Sequence, residues 1–457
     1  MKQITSTLFA LLIVVSAFSQ ELTKASIIKI QSSLTMDAYT KAMQNALSNN
    51  EVNQLARKLE NVDEDDHYFT YKVDVKGITD QKSSGRCWLF TSLNMFRPKA
   101  MEVFNVSSFE FSENYLYFWD LFEKSNLFLN NMIETAEAPV DDRLVQWYFK
   151  APIGDGGMWS SFANLVDKYG MVPSMIMPET QSSENTRNMV KFINLKLKEN
   201  GLRLREAAQN GLEKEALHSM REEMMTEIYR MLALNLGVPP AEFEWRYKDK
   251  DGELSAYTRY TPLEFKEKVL GDIQVRDYVM LMNDPTRPFN KHYEIDNYRN
   301  VEEGVNWHYV NLPNEKIKPM AIESIKKNMA IYASCDVGQQ LNRNYGILDV
   351  DNYDYESVYG VSFGMNKAER IRTRSSGSSH GMALIAVDID NNGKPVKWQF
   401  ENSWGEDTGH KGYLTFTDEW FDEYMFRIVI HKDFITPEVL DIYKTKPTLL
   451  PPWDWMF

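Results

Sequence analysis

The chain has 457 residues, 43% hydrophobic and 13% aromatic, ample for a large core and for more than one structural lobe. A formal charge of −14 argues against a chain-wide nucleic-acid footprint, which needs a basic surface, though not against a local basic channel. There are two cysteines, Cys87 and Cys335, and beyond residue 19 no stretch is apolar enough to cross a bilayer.

In chain order, residues 1–19 read as a secretory signal. Lys2 supplies the positive end, Leu8 to Val15 the apolar centre, and Ala17-Phe18-Ser19 a small-x-small cleavage pattern. The competing reading is a buried N-terminal helix. The expectation is an exported protein, periplasmic or secreted, with no membrane attachment once the signal is removed. Residues 20–66 read as a polar, helical N-terminal extension in which Ala42 to Leu59 carry apolar residues at helix spacing. Tyr68 to Val75 alternates like a strand and leads into Gln81-Lys82-Ser83-Ser84-Gly85-Arg86-Cys87.

That loop delivers one thiol to the start of an apolar, helical run, Trp88 to Phe96. A helix N-terminus favours the thiolate, and the thiolate is the nucleophile. Gln81 lies six positions upstream, where its amide and the Cys87 N–H can form a two-donor oxyanion hole. The plainer reading of Cys87 is a buried structural cysteine. From there to about Pro173 the chain reads as helices rich in aromatics, interrupted by a turn at Asp155-Gly156-Gly157. Met189 to Leu197, Leu204 to Leu236 and Pro262 to Leu270 are charged, amphipathic and helical in pattern.

Strand-like runs return at Tyr278 to Met282, Asn306 to Leu312, Ala330 to Asp336, Met382 to Asp388, Lys397 to Phe400 and Arg427 to His431. Cys335 falls in one of these and reads as a core residue. Among seven histidines, His380 opens the buried run Gly381 to Val387, which turns at Asp390-Asn391-Asn392-Gly393 into Val396 to Phe400. The implied hairpin sets His380 beside Asn402, with Trp404 able to shield the pair from water. A cysteine nucleophile needs such a base and such an orienting amide. The plainer reading of His380 is a satisfied core histidine.

Together, Gln81…Cys87-Trp88, Ser379-His380-Gly381 and Glu401-Asn402-Ser403-Trp404-Gly405 resemble the papain superfamily of cysteine peptidases. The nucleophile segment resembles most closely the bleomycin hydrolase / aminopeptidase C branch. Asp155 to Trp159, Asn164 to Pro173, Cys335-Asp336-Val337-Gly338 and Pro451-Pro452-Trp453-Asp454 also match, so the resemblance spans nearly the whole chain after its first few dozen residues. It implies an α+β, papain-like two-lobe fold. A helical lobe over 67–180 would carry the cysteine, and an antiparallel β-barrel-like lobe over 276–445 the histidine and asparagine. His380 follows Cys87 by 293 positions, whereas a compact papain-like enzyme needs about 130–150. Residues 181–275 therefore read as an inserted helical hook, which in this branch assembles six subunits into a ring; a solvated helical decoration is the alternative.

The resemblance implies peptide hydrolysis by Cys87 as nucleophile, His380 as base, Asn402 as orienter and Gln81 in the oxyanion hole, with Trp88 and Trp404 in support. It implies that Gly156 and Gly157 offer backbone groups to the substrate chain, and an ordinary tight turn is the plainer reading. No metal or cofactor is implied: there is no His-Glu-x-x-His and no paired cysteine spacing. In this branch the C-terminal tail, here residues 446–457, enters the cleft, and its carboxylate holds the substrate's free amino group.

Three departures stand out. Familiar members look cytosolic. Gly381 replaces a small Ala after the histidine, with little effect expected. The tail ends at Phe457, about three residues or about 10 Å of extended chain short of the usual pattern. That shortening leaves room for dipeptide release or endopeptidase action beside the expected aminopeptidase activity. An acyltransferase, or a peptide-binding ring that has lost catalysis, completes the alternatives; nucleic acid is a weak candidate partner.

Overall fold

A computed structural model describes residues 21–61 and 66–456. The signal reading of residues 1–19 and the role given to Phe457 lie outside the described residues. The chain divides into two units. One joins the described residues up to Arg57 with Asp354–Val361. Its helices are Lys24–Ser33, Ala38–Asn49, Val52–Ala56 and Tyr355–Tyr359. Within it the Asp354 N–H donates to the Ala56 carbonyl (2.7 Å) and the Tyr355 hydroxyl to Asn53 (2.8 Å). The single helical run expected over Ala42 to Leu59 is broken at Asn50, where extended backbone and an Asn50 amide bond to the Ala46 carbonyl (2.9 Å) end the helix.

The second unit holds Lys58–Tyr353 and Ser362 onwards. Its centre is a 12-stranded, mostly antiparallel sheet. The middle runs Tyr278–Met282, Met425–His431, Ile331–Cys335, His380–Ile389, Pro395–Glu401 and Tyr413–Thr417 in spatial order. Met382 to Val387 are at most 2% exposed because both faces are covered, by helix Cys87–Phe104 on one and helix Asn314–Lys326 on the other. A strand buried on both faces reads as an unbroken apolar run, which is how the sequence presents it. Gly393, at φ +80°, closes the expected hairpin turn, with the Asp390 N–H donating to the Lys394 carbonyl (2.8 Å).

The strand expected over Tyr68 to Val75 shrinks to Tyr71–Lys72, paired with Ala386 and Val387. Beyond it the Val75 N–H folds back onto the Val73 carbonyl (2.9 Å), which ends the pairing. The helical run Leu204 to Leu236 is two helices, Arg187–Gln209 and Lys214–Leu236. Between them Gly211, at φ +84°, allows the Leu212 N–H to reach the Ala207 carbonyl and the Gly211 N–H the Ala208 carbonyl. Those two bonds define a Schellman stop. Both helices pack on helix Glu113–Glu134. Strands Lys291–Ile295, Tyr413–Thr417 and Thr448–Leu450 went unrecognised in the sequence. Among the described residues no helix is long and apolar enough to cross a membrane.

Candidate active site

Helix Cys87–Phe104 begins at the thiol. Its first N–H groups have no carbonyl one turn earlier to bond, so they face whatever lies at the helix mouth. The preceding loop is clamped from three sides. The Gly85 N–H donates to Asp155 (3.0 Å), and a Cβ at Gly85 would meet Asp155 at 2.8 Å, so only glycine fits there. Arg86 is fully buried and pairs bidentately with Glu179 (2.9 and 2.7 Å), its guanidinium against the rings of Phe90 and Tyr117. Asp155 also accepts from Tyr117 (2.6 Å) and Thr186. Sequence reading missed Arg86, Glu179 and Thr186, because their partners lie far along the chain. An arginine directly before the thiol, where a chain entering a buried helix would leave it little solvent, was the available signal.

His380 is the first residue of its strand, and Asn402 immediately follows the neighbouring strand. The imidazole Nε2 lies 2.8 Å from Asn402 Oδ1. Its other nitrogen is thereby turned to the thiol. Trp404 stacks on the imidazole at 4.6 Å between ring centres and 25° between planes, and Arg343 caps its other side (4.8 Å). The Gly381 N–H points at the Cys87 sulfur (3.5 Å). Burial pushes the Cys87 thiol up, but the His380 charge, its hydrogen bond and the N–H groups of Gly381 and Trp88 together bring it below the ordinary thiol value.

Gln81 is held on both sides of its amide. Its oxygen accepts from Ser403 (2.7 Å), and its nitrogen donates one hydrogen to the Ser84 carbonyl (2.6 Å), leaving the second N–H for a ligand. The Gln81 N–H donates to the Ser403 carbonyl (2.9 Å), lacing the nucleophile loop to the segment after Asn402. Deeper in the same interface, Arg97 of the cysteine helix pairs with the buried Glu401 (2.6 Å). Burial lifts the Glu401 carboxyl to about 7, against the opposing pull of Arg97.

The expected glycine pair divides its work. A Cβ at Gly157 would meet the Trp88 indole at 2.5 Å, whereas Gly156 faces open space. The indole N–H donates to the Asp155 carbonyl (2.7 Å), and Lys124 Nζ donates to the Gly156 carbonyl (2.7 Å). Both glycines line a cavity of about 480 Å³ that Pro452 and Trp453 of the tail also line. The tail is anchored by Arg287 to Asp454 (2.8 and 3.0 Å), by Arg143 over Trp453 (4.0 Å) and by burial of Met456.

A thiol at a helix mouth, a histidine on a strand of the facing lobe and an amide behind it define a papain-like cysteine peptidase. The sequence pattern of the Peptidase C1-like family matches residues 21–457, and the chain belongs to that family. It is 43% identical over 401 residues to the bleomycin hydrolase of Mus musculus, covering 85% of this chain and 88% of that protein. It is 37% identical over 417 residues to the aminopeptidase C of Streptococcus thermophilus, covering 91% and 94%. The crystal structure of pepw from Lactobacillus rhamnosis HN001 superposes with a TM-score of 0.92 at 36% identity, covering 96% of this chain and 99% of that one.

Proposed function

We propose that this cysteine peptidase is an aminopeptidase acting on peptides with a free amino end. The observation that carries the roles is the His380 imidazole, held by Asn402 at 2.8 Å and turned to Cys87 under the Trp404 ring. His380 takes the Cys87 proton, and the thiolate attacks the peptide carbonyl. The oxyanion is met by the second Gln81 N–H and the Cys87 N–H at the helix mouth. The carbonyl re-forms as the C–N bond breaks, and His380 protonates the departing amine. Water then attacks the thioester, His380 removes its proton, and the thiolate leaves.

Exopeptidase action is supported by the tail residues Pro452 and Trp453, which wall the cavity beside Gly156 and Gly157. Relatives named aminopeptidase C support the same reading. The test is hydrolysis of one peptide series with and without a blocked amino end, with Cys87→Ala alongside. Cleavage of unblocked peptides only, abolished by the substitution, is expected. Cleavage of blocked peptides at equal rates replaces the aminopeptidase reading with an endopeptidase one.

Assembly into a six-membered ring is supported by Phe192, Leu195 and Leu202, which form an exposed apolar stripe on helix Arg187–Gln209. Sedimentation should give six times the chain mass, falling on Phe192→Asp. Export rests on the pattern of residues 1–19. Sequencing the amino end of the mature protein should show residue 20 first.

A further inference from the structure

We infer that Lys124 is a positioning residue for the substrate chain: with Asp120 behind it, it turns the loop Gly154 to Gly157 so that N–H groups, not carbonyls, meet the bound peptide. This rests on the peptidase reading above. Lys124 follows Asp120 by one turn on helix Glu113–Glu134. An ammonium has three N–H donors, and all three are engaged here. They meet Asp120 Oδ2 (2.5 Å), the Gly156 carbonyl (2.7 Å) and the Gly154 carbonyl (2.9 Å). The carbonyl between those two, on Asp155, accepts the Trp88 indole N–H (2.7 Å). Three successive loop carbonyls are therefore held by side chains of helices Cys87–Phe104 and Glu113–Glu134.

In a planar trans peptide the C=O and the N–H that follows it point in opposite directions, and among the described residues no peptide bond is cis. Pinning the Asp155 and Gly156 carbonyls thus turns the Gly156 and Gly157 N–H groups the other way. Among the described residues neither N–H has a hydrogen-bond partner. Both glycines line the cavity, and Gly156 faces open space. The group that suits such donors is a carbonyl of the bound peptide. The anchor behind Lys124 is fixed in turn. Asp120 is 0% exposed, and its other oxygen accepts from the Asn300 amide (2.8 Å). That amide also donates to the Ser161 carbonyl (3.2 Å) and accepts from Asn164 (3.1 Å). Lys124 cannot swing away without stranding a buried carboxylate, which is costly. Its charge is matched by Asp120, so it acts on the loop through geometry.

The test measures kcat and KM on one unblocked peptide beside the rate of Cys87 alkylation by iodoacetamide. Alkylation needs the thiol and imidazole but not the loop. Lys124→Met should raise KM about tenfold while kcat changes less, the signature of lost substrate binding. Its alkylation rate should match that of the unsubstituted protein. Lys124→Arg, whose guanidinium can donate to the same acceptors, should recover most of the KM. If Lys124→Met fails to fold because Asp120 is stranded, the double variant Asp120→Asn, Lys124→Met removes both charges and should raise KM alike. An unchanged KM in the variants that fold overturns the positioning role and leaves the peptidase standing. Alkylation that falls in step with kcat/KM also overturns it, because the loss is then general. Failure of the unsubstituted protein to cleave any peptide under reducing conditions overturns the peptidase reading as well.

Discussion

The two cysteines sit on either side of the same histidine and have opposite characters. Cys87 is half-buried at a helix mouth, where the His380 charge and two N–H groups hold its thiol below the ordinary value. Cys335 pairs with His380 through the strand register alone and is 0% exposed, and burial pushes its thiol well above the usual range. Position on the chain says little about thiol chemistry. What matters is which charges and donors face the sulfur: Cys87 meets the Trp88 N–H of its own helix and the Gly381 N–H of the facing strand as well as the imidazole.

The largest test of that contrast is Cys87→Ala, which should lower kcat/KM by about 10⁴-fold or more, as removal of a nucleophile does elsewhere. Cys335→Ala should leave the rate within a few-fold, measured on the same unblocked peptide. His380→Ala should cost about 10²–10⁴-fold. It should also move the pH midpoint of Cys87 alkylation upwards, because the lowering charge is gone. Alkylation of Cys335 should stay undetectable until the protein is unfolded.

Next comes the pair that joins the two sides of the site. Arg97→Met leaves the Glu401 carboxyl buried without its partner and should cost about 3–5 kcal/mol in urea unfolding. The Glu401 carboxyl, lifted to about 7 in the fold, binds its proton more tightly there than in the unfolded chain, at about 4.3. Its contribution to stability therefore declines as pH rises from about 4.3 to 7. Glu401→Gln should flatten that segment of the unfolding profile.

Smaller effects are expected away from the thiols. Gly157→Ala presses a methyl into the Trp88 indole and should cost about 1–3 kcal/mol. Near the start of the tail, His292 and His308 meet at 3.1 Å beneath Tyr443. Burial, then His292 and Arg276, push His308 down to about 4. The neutral ring's contribution is present in full above about pH 6.5 and is lost as pH falls from there towards 4. His308→Gln should remove that slope from the unfolding midpoints.

Several elements were legible because local pattern and final environment agree. Helix Pro262–Leu270 and strand Tyr278–Met282 have the ends expected of them, the first set by the Thr261–Glu264 capping box and the second by an uninterrupted apolar run. Strand Lys291–Ile295 was hidden, since Lys291 and Glu294 interrupt its apolar residues. Strand Thr448–Leu450 is a short edge in parallel pairing with Lys291–Ile295, and nothing local specifies that partner.

By itself the sequence determined the candidate set: Gln81, Cys87, His380 and Asn402 each sit in a short run whose residue types suit the role proposed for them. The hairpin between His380 and Asn402 followed from one turn and two apolar runs, all local in the chain. Only the tertiary structure decided the rest. The Asp155 and Glu179 clamps, the Arg97–Glu401 pair and the packing of Gly157 on Trp88 join residues from about 70 to about 300 positions apart. Such contacts depend on packing that brings distant segments within a few ångströms. No local periodicity encodes which distant charge or ring will be waiting there.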